Sequence, residues 1–217
     1  MKIKSCNLRA TVLCVVVFSG TLSACAPLIF GGVAMSALVA TDRRTSGAQL
    51  EDEGIELRAA GRVRENLGDR VHVNVTSYNR QVLVTGEVPN AQDKQLVEQI
   101  VSRVENVRSI VNEVSVLGNT TLTQRSSDAL TTGKVKAAMV DAKDLYSNAF
   151  KVVTERGTTY LMGLVTQREA TRATDIARST GGVQKVVRIF EIISEAELQR
   201  TLPQSAPASK PSTAPKT

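Results

Sequence analysis

A long internal repeat is the feature that most constrains what this chain can fold into. One copy is VNVTSYNRQVLVTGEVPNAQDKQLVEQIVSRVENVRSIVNEVSV, and the other is KVVTERGTTYLMGLVTQREATRATDIARSTGGVQKVVRIFEII. When the two copies are aligned, Gly86 matches Gly163 and Val88 matches Val165. Because similarity at a fixed spacing marks a repeated structural unit, we expect two similar small domains in tandem.

Each copy changes its hydrophobic period in the same order. Two strand-like segments are separated by Asn79-Arg80 in the first copy and by Arg156-Gly157 in the second, where a hairpin turn is expected. A segment with helical spacing follows in each copy. The last segment of each copy again has the pattern of a strand, SIVNEVSVL in the first and KVVRIFEII in the second.

A further helix is predicted before each unit, over GIELRAAGRVRENL and over SSDALTTGKVKAAMVDA. Either Ser127 or Asp128 could cap the second of these helices. The predicted fold class is therefore α+β. Each unit runs helix, strand, strand, helix, strand, with a small three-stranded mixed sheet and two helices packed on one of its faces. Units of this size are near the lower limit of independent stability, so packing against each other would stabilise both.

The N-terminal residues have the layout of a secretory signal. Lys2, Lys4 and Arg9 precede the apolar run TVLCVVVFSG, and small residues follow it. This run is about a dozen residues long, whereas a helix that spans a bilayer needs roughly 20. The alternative is an uncleaved anchor helix over residues 12–40, and the glycines and the proline in that range count against it.

The segment LSAC, at residues 22–25, resembles the lipobox of bacterial lipoproteins. The resemblance implies cleavage before Cys25 and attachment of lipid to Cys25. It also implies export to the outer membrane, because the next residue is Ala26 and not an aspartate. Several acyl chains would hold the protein firmly, since each buried methylene contributes about 0.8 kcal/mol.

Composition argues against most catalytic and metal sites. The chain has three cysteines, one histidine and no tryptophan. Two cysteines leave with the signal and Cys25 carries lipid, so a metal site built on histidines and cysteines is excluded. His72 lies in a strand pattern and is interpreted as an outward-facing residue, not a general base. The net charge of +6 comes partly from the signal, so nucleic acid is not an expected partner. We predict no enzymatic activity, no cofactor and no metal.

The element order, with a glycine in the second strand and a GV entry to the third, resembles the BON domain. Two such units behind a lipobox resemble the dual BON-domain outer-membrane lipoproteins of Gram-negative bacteria. The matching stretches include TDRRTSGAQLEDEGIELR, TSYNRQVLVTGEVPN, YLMGLVTQREATRATDIA and GGVQKVVRIFEII. The predicted organisation is a signal peptide over 1–24, a lipidated tether over 25–48, BON domains over 49–118 and 124–195, and a disordered Pro/Ser-rich tail over 201–217.

In this family the first helix of the second BON domain is understood to bind anionic phospholipid, and the resemblance implies that role here. On a helical wheel, Val135 and Met139 share a core stripe, and small apolar residues bracketed by lysines lie opposite them. The predicted phospholipid-binding residues are Leu130, Gly133, Lys134, Lys136, Ala137 and Val140. Leu130 departs from a family member that has tryptophan at this position, and the alternative is that Leu130 packs on the other domain.

A second group of charges lies at the entrance to the first domain. The arginines are interpreted as part of a solvated, mixed surface because carboxylates balance them. The arginines are Arg43, Arg44, Arg58, Arg62 and Arg64, and the carboxylates are Glu51, Asp52, Glu53, Glu56 and Glu65.

These observations predict a non-enzymatic outer-membrane lipoprotein whose domains face the periplasm. We expect it to bind anionic phospholipid membranes and to support outer-membrane integrity, with the division site as one location. The alternative is a periplasmic adaptor that binds proteins, such as the outer-membrane protein assembly machinery or regulators of cell-wall amidases.

Overall fold

The computed structural model describes residues 42–201. The predicted signal peptide, Cys25, most of the predicted tether and almost all of the predicted tail lie outside the described residues. Within the described range, no helix combines the length and the apolar character that a membrane crossing requires.

The two repeats form two domains of the predicted element order. The first domain consists of α1 Ser46–Leu67, β1 His72–Tyr78, β2 Gln81–Val88, α2 Ala91–Ser102, β3 Ser109–Asn112 and β4 Ser115–Val116. The second consists of α3 Leu122–Asp141, β5 Phe150–Glu155, β6 Thr158–Val165, α4 Gln167–Ser179 and β7 Lys185–Ile192. A short helix that the sequence did not predict, α5 Glu195–Thr201, follows β7.

Each sheet is mixed, as predicted. In the first domain β1 pairs antiparallel with β2, and β3 and β4 pair parallel with β2. In the second domain β5 pairs antiparallel with β6, and β7 pairs parallel with β6. Both helices of each domain pack on one face of its sheet. In the first domain, alternate apolar residues of β2 contact the buried sides of α1 and α2. In the second domain, alternate apolar residues of β6 contact the buried sides of α3 and α4.

The closing strand of the first domain is interrupted, which differs from the single strand predicted. The register from β2 to β3 continues unchanged into β4, so no residue is inserted. The gap lies opposite Gly86, whose φ is +112°. A Cβ at Gly86 would lie 2.0 Å from the carbonyl oxygen of His72, so only glycine fits. The matching Gly163 has no positive φ, and β7 runs unbroken beside it.

Both hairpin turns have the predicted positions, and a buried carboxylate holds each one. Asn79 and Arg80 have φ of 50° and 63°, and Arg156 and Gly157 have φ of 49° and 73°, as type I′ turns require. The carboxylate of Asp52 in α1 accepts the backbone N–H groups of Asn79 and Arg80, both at 2.7 Å. These bonds stabilise a left-handed conformation that is costly for arginine.

Asp128 has the same function in the second domain. Its carboxylate accepts the N–H groups of Arg156 at 2.9 Å and Gly157 at 3.0 Å. The prediction that Ser127 or Asp128 caps α3 is therefore wrong. The helix begins earlier, and the side chain of Thr121 caps it by accepting from the N–H of Gln124 at 3.2 Å.

The two sheets pack against each other through the faces that their helices leave uncovered. This second face of each sheet carries apolar side chains that form one shared cluster, with Tyr78 and Leu83 from the first domain and Tyr160, Met162 and Ile189 from the second. The helices of each domain therefore lie outside the pair of sheets. The sequence did not predict how the domains dock.

The entrance segment joins the domains, which corrects the prediction of a solvated surface for Arg43, Arg44 and Asp52. Glu53, Arg64 and Glu65 are exposed, as predicted. Arg43 is only 3% exposed, and its guanidinium lies 2.7 Å from the fully buried carboxylate of Glu169 in α4. It also donates to the carbonyl oxygen of Leu164 at 2.9 Å. Arg44 pairs with buried Asp52 at 2.7 Å. Burial would raise the pKa of Glu169, but bonds from Arg43 and Thr166 outweigh burial and lower it.

We expect Asp52→Asn to lower the free energy of unfolding at pH 7 by about 2–3 kcal/mol, because charge-assisted bonds to the turn are lost. Burial would raise the pKa of Asp52, but bonds from Ser77, the Arg80 N–H and Arg44 outweigh it and lower the pKa. The contribution is therefore present above the unfolded pKa, about 4, and is lost as the pH falls through the folded pKa. Urea unfolding at pH 7 and pH 3 measures this.

The matched control is Glu53→Gln at the neighbouring exposed position, which should change stability by less than about 0.5 kcal/mol. A loss of stability in Asp52→Asn that was equal at both pH values would contradict the assigned role of the charge.

A second prediction concerns the entrance segment. Arg43→Ala should lower the free energy of unfolding by about 3 kcal/mol, because it leaves the charge of Glu169 buried without its partner. Arg172→Ala removes a pair of similar chemistry, at 3.0 Å from Asp144, but both side chains are about half exposed. It should cost less than about 1 kcal/mol. Chemical denaturation of both variants tests the difference, and equal losses would count against a stabilising entrance segment.

Candidate functional site

The first helix of the second domain, α3, has one buried and one exposed side. The buried side chains are Asp128, Thr131, Val135 and Met139. Their spacing of three and four residues places them along a single stripe that faces the sheet. Val135 and Met139 belong to the core of the second domain, as predicted.

The six predicted phospholipid-binding residues are all exposed on α3. Leu130 is 68% exposed and Val140 is 67% exposed, so the alternative that Leu130 packs on the other domain is wrong. Leu130, Gly133, Lys134 and Ala137 line a shallow groove together with Ser126 and Ala129. The structure thus brings the six residues together on one face, whereas Cys25 lies outside the described residues.

Sequence reasoning missed one member of this face. Leu122 is 79% exposed and lies on the side of Val140, because eighteen residues make five full turns. Leu122 to Val140 extends over about 27 Å of helix at 1.5 Å per residue. The predicted helix starts at Ser126, four residues late, because the cap at Thr121 was not recognised. We call Leu122, Leu130, Gly133, Ala137 and Val140 the apolar stripe.

Lysines flank the apolar stripe on both sides. At 100° per residue, Lys134 lies on one edge and Lys136 on the other, and both are exposed. Of the two carboxylates in this helix, Asp128 is buried on the opposite side and Asp141 is the last residue. Asp144 is already paired with Arg172 at 3.0 Å. The central part of the face is therefore apolar and cationic.

The equivalent helix of the first domain, α1, has a different surface. Asp52 and Asp128 hold equivalent turns, so the two helices can be compared residue by residue. Leu57, at the position equivalent to Gly133, is 76% exposed. It lies among Glu53, Glu56 and an Arg58–Glu51 pair at 2.6 Å. The fold therefore presents the same helix twice, and only α3 combines an apolar stripe with unbalanced lysines.

A polar cluster lies between the domains around Glu87. This carboxylate is fully buried, lies 2.7 Å from the guanidinium of Arg156 and 3.0 Å from Nδ1 of His72, and accepts from the hydroxyl of Thr120 at 3.2 Å. His72 points away from its own core, as predicted, but the second domain partly covers it. Burial would raise the pKa of Glu87, but Arg156, His72 and Thr120 lower it. Burial raises the pKa of the neighbouring Glu155.

One group of side chains within residues 42–201 could hold a metal. Its members are His72, Glu87 and Glu155, whose ligand atoms lie within 4.8 Å of one another. The sequence excluded sites built on histidine and cysteine clusters but did not foresee this combination. Arg156 already supplies a positive charge to Glu87, so the geometry is explained by an ion pair. We assign no metal to this cluster.

Two tandem units of helix, hairpin, helix and parallel strand define the class of protein. The chain belongs to the BON-domain family, whose model matches residues 55–118 and 127–193. This confirms the family resemblance and the fold class that the sequence predicted.

Curated relatives narrow the class further. The chain is 36% identical over 174 residues to outer membrane lipoprotein DolP of Haemophilus influenzae, covering 79% of this chain and 90% of that protein. It is 28% identical over 154 residues to a 21 kDa hemolysin of Actinobacillus pleuropneumoniae, covering 70% and 79%. These similarities indicate a dual BON protein of the DolP type and an outer-membrane lipoprotein.

Among solved structures, CdsD of the Chlamydia trachomatis type III secretion system matches with a TM-score of 0.26 at 12% identity. That match covers 73% of this chain and 99% of the other. A TM-score this low carries no argument about function.

The exposure of the stripe leads to a stability prediction. Leu130→Glu and Val140→Glu should each change the free energy of unfolding by less than about 0.5 kcal/mol, because neither side chain is packed. Met139→Ala on the opposite side should cost about 2–5 kcal/mol, since it leaves a cavity in the core. Urea unfolding compares the three variants. A loss above 2 kcal/mol for Leu130→Glu would mean that the stripe is covered.

Proposed function

We propose that this protein is a non-enzymatic, lipid-anchored protein that binds anionic phospholipid through α3 and supports outer-membrane integrity, including at the division site. Its domains face the periplasm, and its acylated Cys25 anchors it in the outer membrane. The observation that supports this most directly is the exposed apolar stripe of α3 between Lys134 and Lys136.

The stripe suits the interface of a membrane. Leucine and valine side chains can enter the boundary between headgroups and acyl chains, and lysine stems reach back to the headgroups. Each lysine near an anionic surface contributes about 1 kcal/mol. Gly133 and Ala137 have little or no side chain, so the backbone of α3 can approach the surface closely. Leucine lacks the indole N–H of tryptophan, so Leu130 contributes only apolar contact.

The lipid anchor and the helix act together in this proposal. Anchoring keeps α3 close to one membrane, so even a weak contact is made repeatedly at a high effective concentration. A weak, lysine-dependent contact would favour regions rich in anionic lipid over other regions of the same leaflet. This is how the protein would be directed to particular regions of the membrane.

The test uses the chain from residue 42 onward, which lacks the anchor, and vesicles with or without phosphatidylglycerol. Binding measured by co-sedimentation should require the anionic lipid. Leu130→Glu should reduce it below detection, and the double variant Lys134→Gln/Lys136→Gln should weaken it roughly 30-fold, which corresponds to about 2 kcal/mol.

Leu57→Glu on α1 is the matched control, because it places the same charge at an exposed position of the equivalent helix. It should bind vesicles like the parent. In cells, the full-length parent should restore the outer-membrane barrier to a deletion strain, and Leu130→Glu should not. Equal binding by both glutamate variants would refute phospholipid recognition by the stripe.

A further inference from the structure

A cleft of about 1030 Å³ opens between α1 of the first domain and α3 of the second. Strands β1 and β5 line it, and these are edge strands of their respective sheets. The cleft does not coincide with the apolar stripe, because Arg125, Asp128 and Thr132 of α3 face it, whereas Leu130 lies on another side of the helix. The cleft is therefore a candidate site separate from the one proposed to bind phospholipid.

The edge of β1 presents backbone groups to this cleft. In a hairpin with a two-residue turn, the flanking residues Tyr78 and Gln81 bond each other. By the alternation of a strand, the groups of Ser77, Val75 and Val73 then point away from β2. Ser77 confirms this direction, because its N–H donates to Glu56 at 2.7 Å and its carbonyl oxygen accepts from Lys151 at 3.3 Å.

Val73 and Val75 differ from Ser77. Within residues 42–201, their outward N–H and carbonyl groups have no side-chain or backbone partner, and β1 pairs with β2 alone. Both valines line the cleft. Four unpaired backbone groups in a row are the pattern to which an added strand can bond. The two edges are joined here by side chains instead, with Asn74 donating to Glu155 at 3.1 Å.

The two arginines that line the cleft lie at the same end of it. Arg64 of α1 and Arg125 of α3 both line it, and neither has a carboxylate within ion-pair distance among the described residues. Both lie near the start of β1. Arg64 is twelve residues, or about 18 Å, beyond the Asp52 that holds the far end of the strand. Arg125 donates to Thr120, which bonds Glu87 beside His72. Glu53 lines the opposite end. Glu155 lines the same end as the arginines, where it accepts from Asn74 and lies within 4.8 Å of His72.

We propose that this cleft binds the carboxyl-terminal extended segment of a partner protein, which adds a strand antiparallel to β1. The C-terminal carboxylate then lies between Arg64 and Arg125, because an antiparallel strand ends where β1 begins. Backbone bonds to Val73 and Val75 would supply affinity, and alternate side chains of the peptide would contact Leu57, Ala60 and Ala129.

The test selects peptides with the full chain purified in detergent. The probe is a library of random heptapeptides displayed with free C-termini. Enriched sequences should carry apolar residues at alternate positions, and synthetic representatives should bind at least tenfold more weakly as C-terminal amides. On binding, amide NMR signals of residues 73–76 should shift. Each selected peptide is then tested against the parent and against Arg64→Glu/Arg125→Glu. The proposal would be overturned if the parent bound none of the peptides better than this variant does.

Two further variants separate the possible explanations. Val75→Pro removes an outward N–H that does not bond β2, so it should weaken peptide binding while the protein stays folded. The arginine variant provides the same test if Val75→Pro does not fold, because both arginines project into the cleft. Leu130→Glu is the matched control and should retain peptide binding, so this proposal and phospholipid binding can fail separately. Enriched peptides indifferent to amidation would refute recognition of a C-terminus.

Discussion

The bond between a helix carboxylate and a hairpin turn is the interaction on which each domain depends. Asp52 and Asp128 reach out of the first helix of their domain to the backbone N–H groups of the turn that follows. This contact fixes the helix along the hairpin and stabilises left-handed residues at the turn. Because the strand register starts at the turn, the contact also decides which side chains face the helices and which face the other domain.

The second constraint is the joining of the domains. The faces of β2 and β6 away from the helices carry apolar side chains that are buried only when the sheets meet. Charged groups bridge the margins of this contact, with Arg156 at Glu87 and Lys151 at Glu56. Each bridge pairs a residue of one domain with a residue of the other. The two repeats therefore share a buried contact with charged pairs at its margins, and this contact holds α1 and α3 on either side of the cleft.

The element order, both hairpin turns, the mixed sheets and the exposed face of α3 could be predicted from the sequence, because each follows from local periodicity or turn chemistry. The start of α3 could not, since Thr121 is a weak signal without its surroundings. Asp52 and Arg43 were interpreted as surface residues because charge balance along the chain does not reveal burial between domains. The interruption opposite Gly86 depends on a backbone conformation that glycine permits but does not require. The docking of the sheets depends on pairs of residues about 80 positions apart.

The bridge from Arg43 to Glu169 has a mechanical consequence. Any pull exerted on the chain upstream of Asp42 reaches α4 through this buried pair before it reaches the first turn of α1. Arg44, the next residue, pairs with Asp52 of α1 at 2.7 Å, so the second domain shares the load with the first, although the first domain comes next in the polypeptide. A strained attachment would then transmit tension to the domain that carries the apolar stripe as well as to the first repeat.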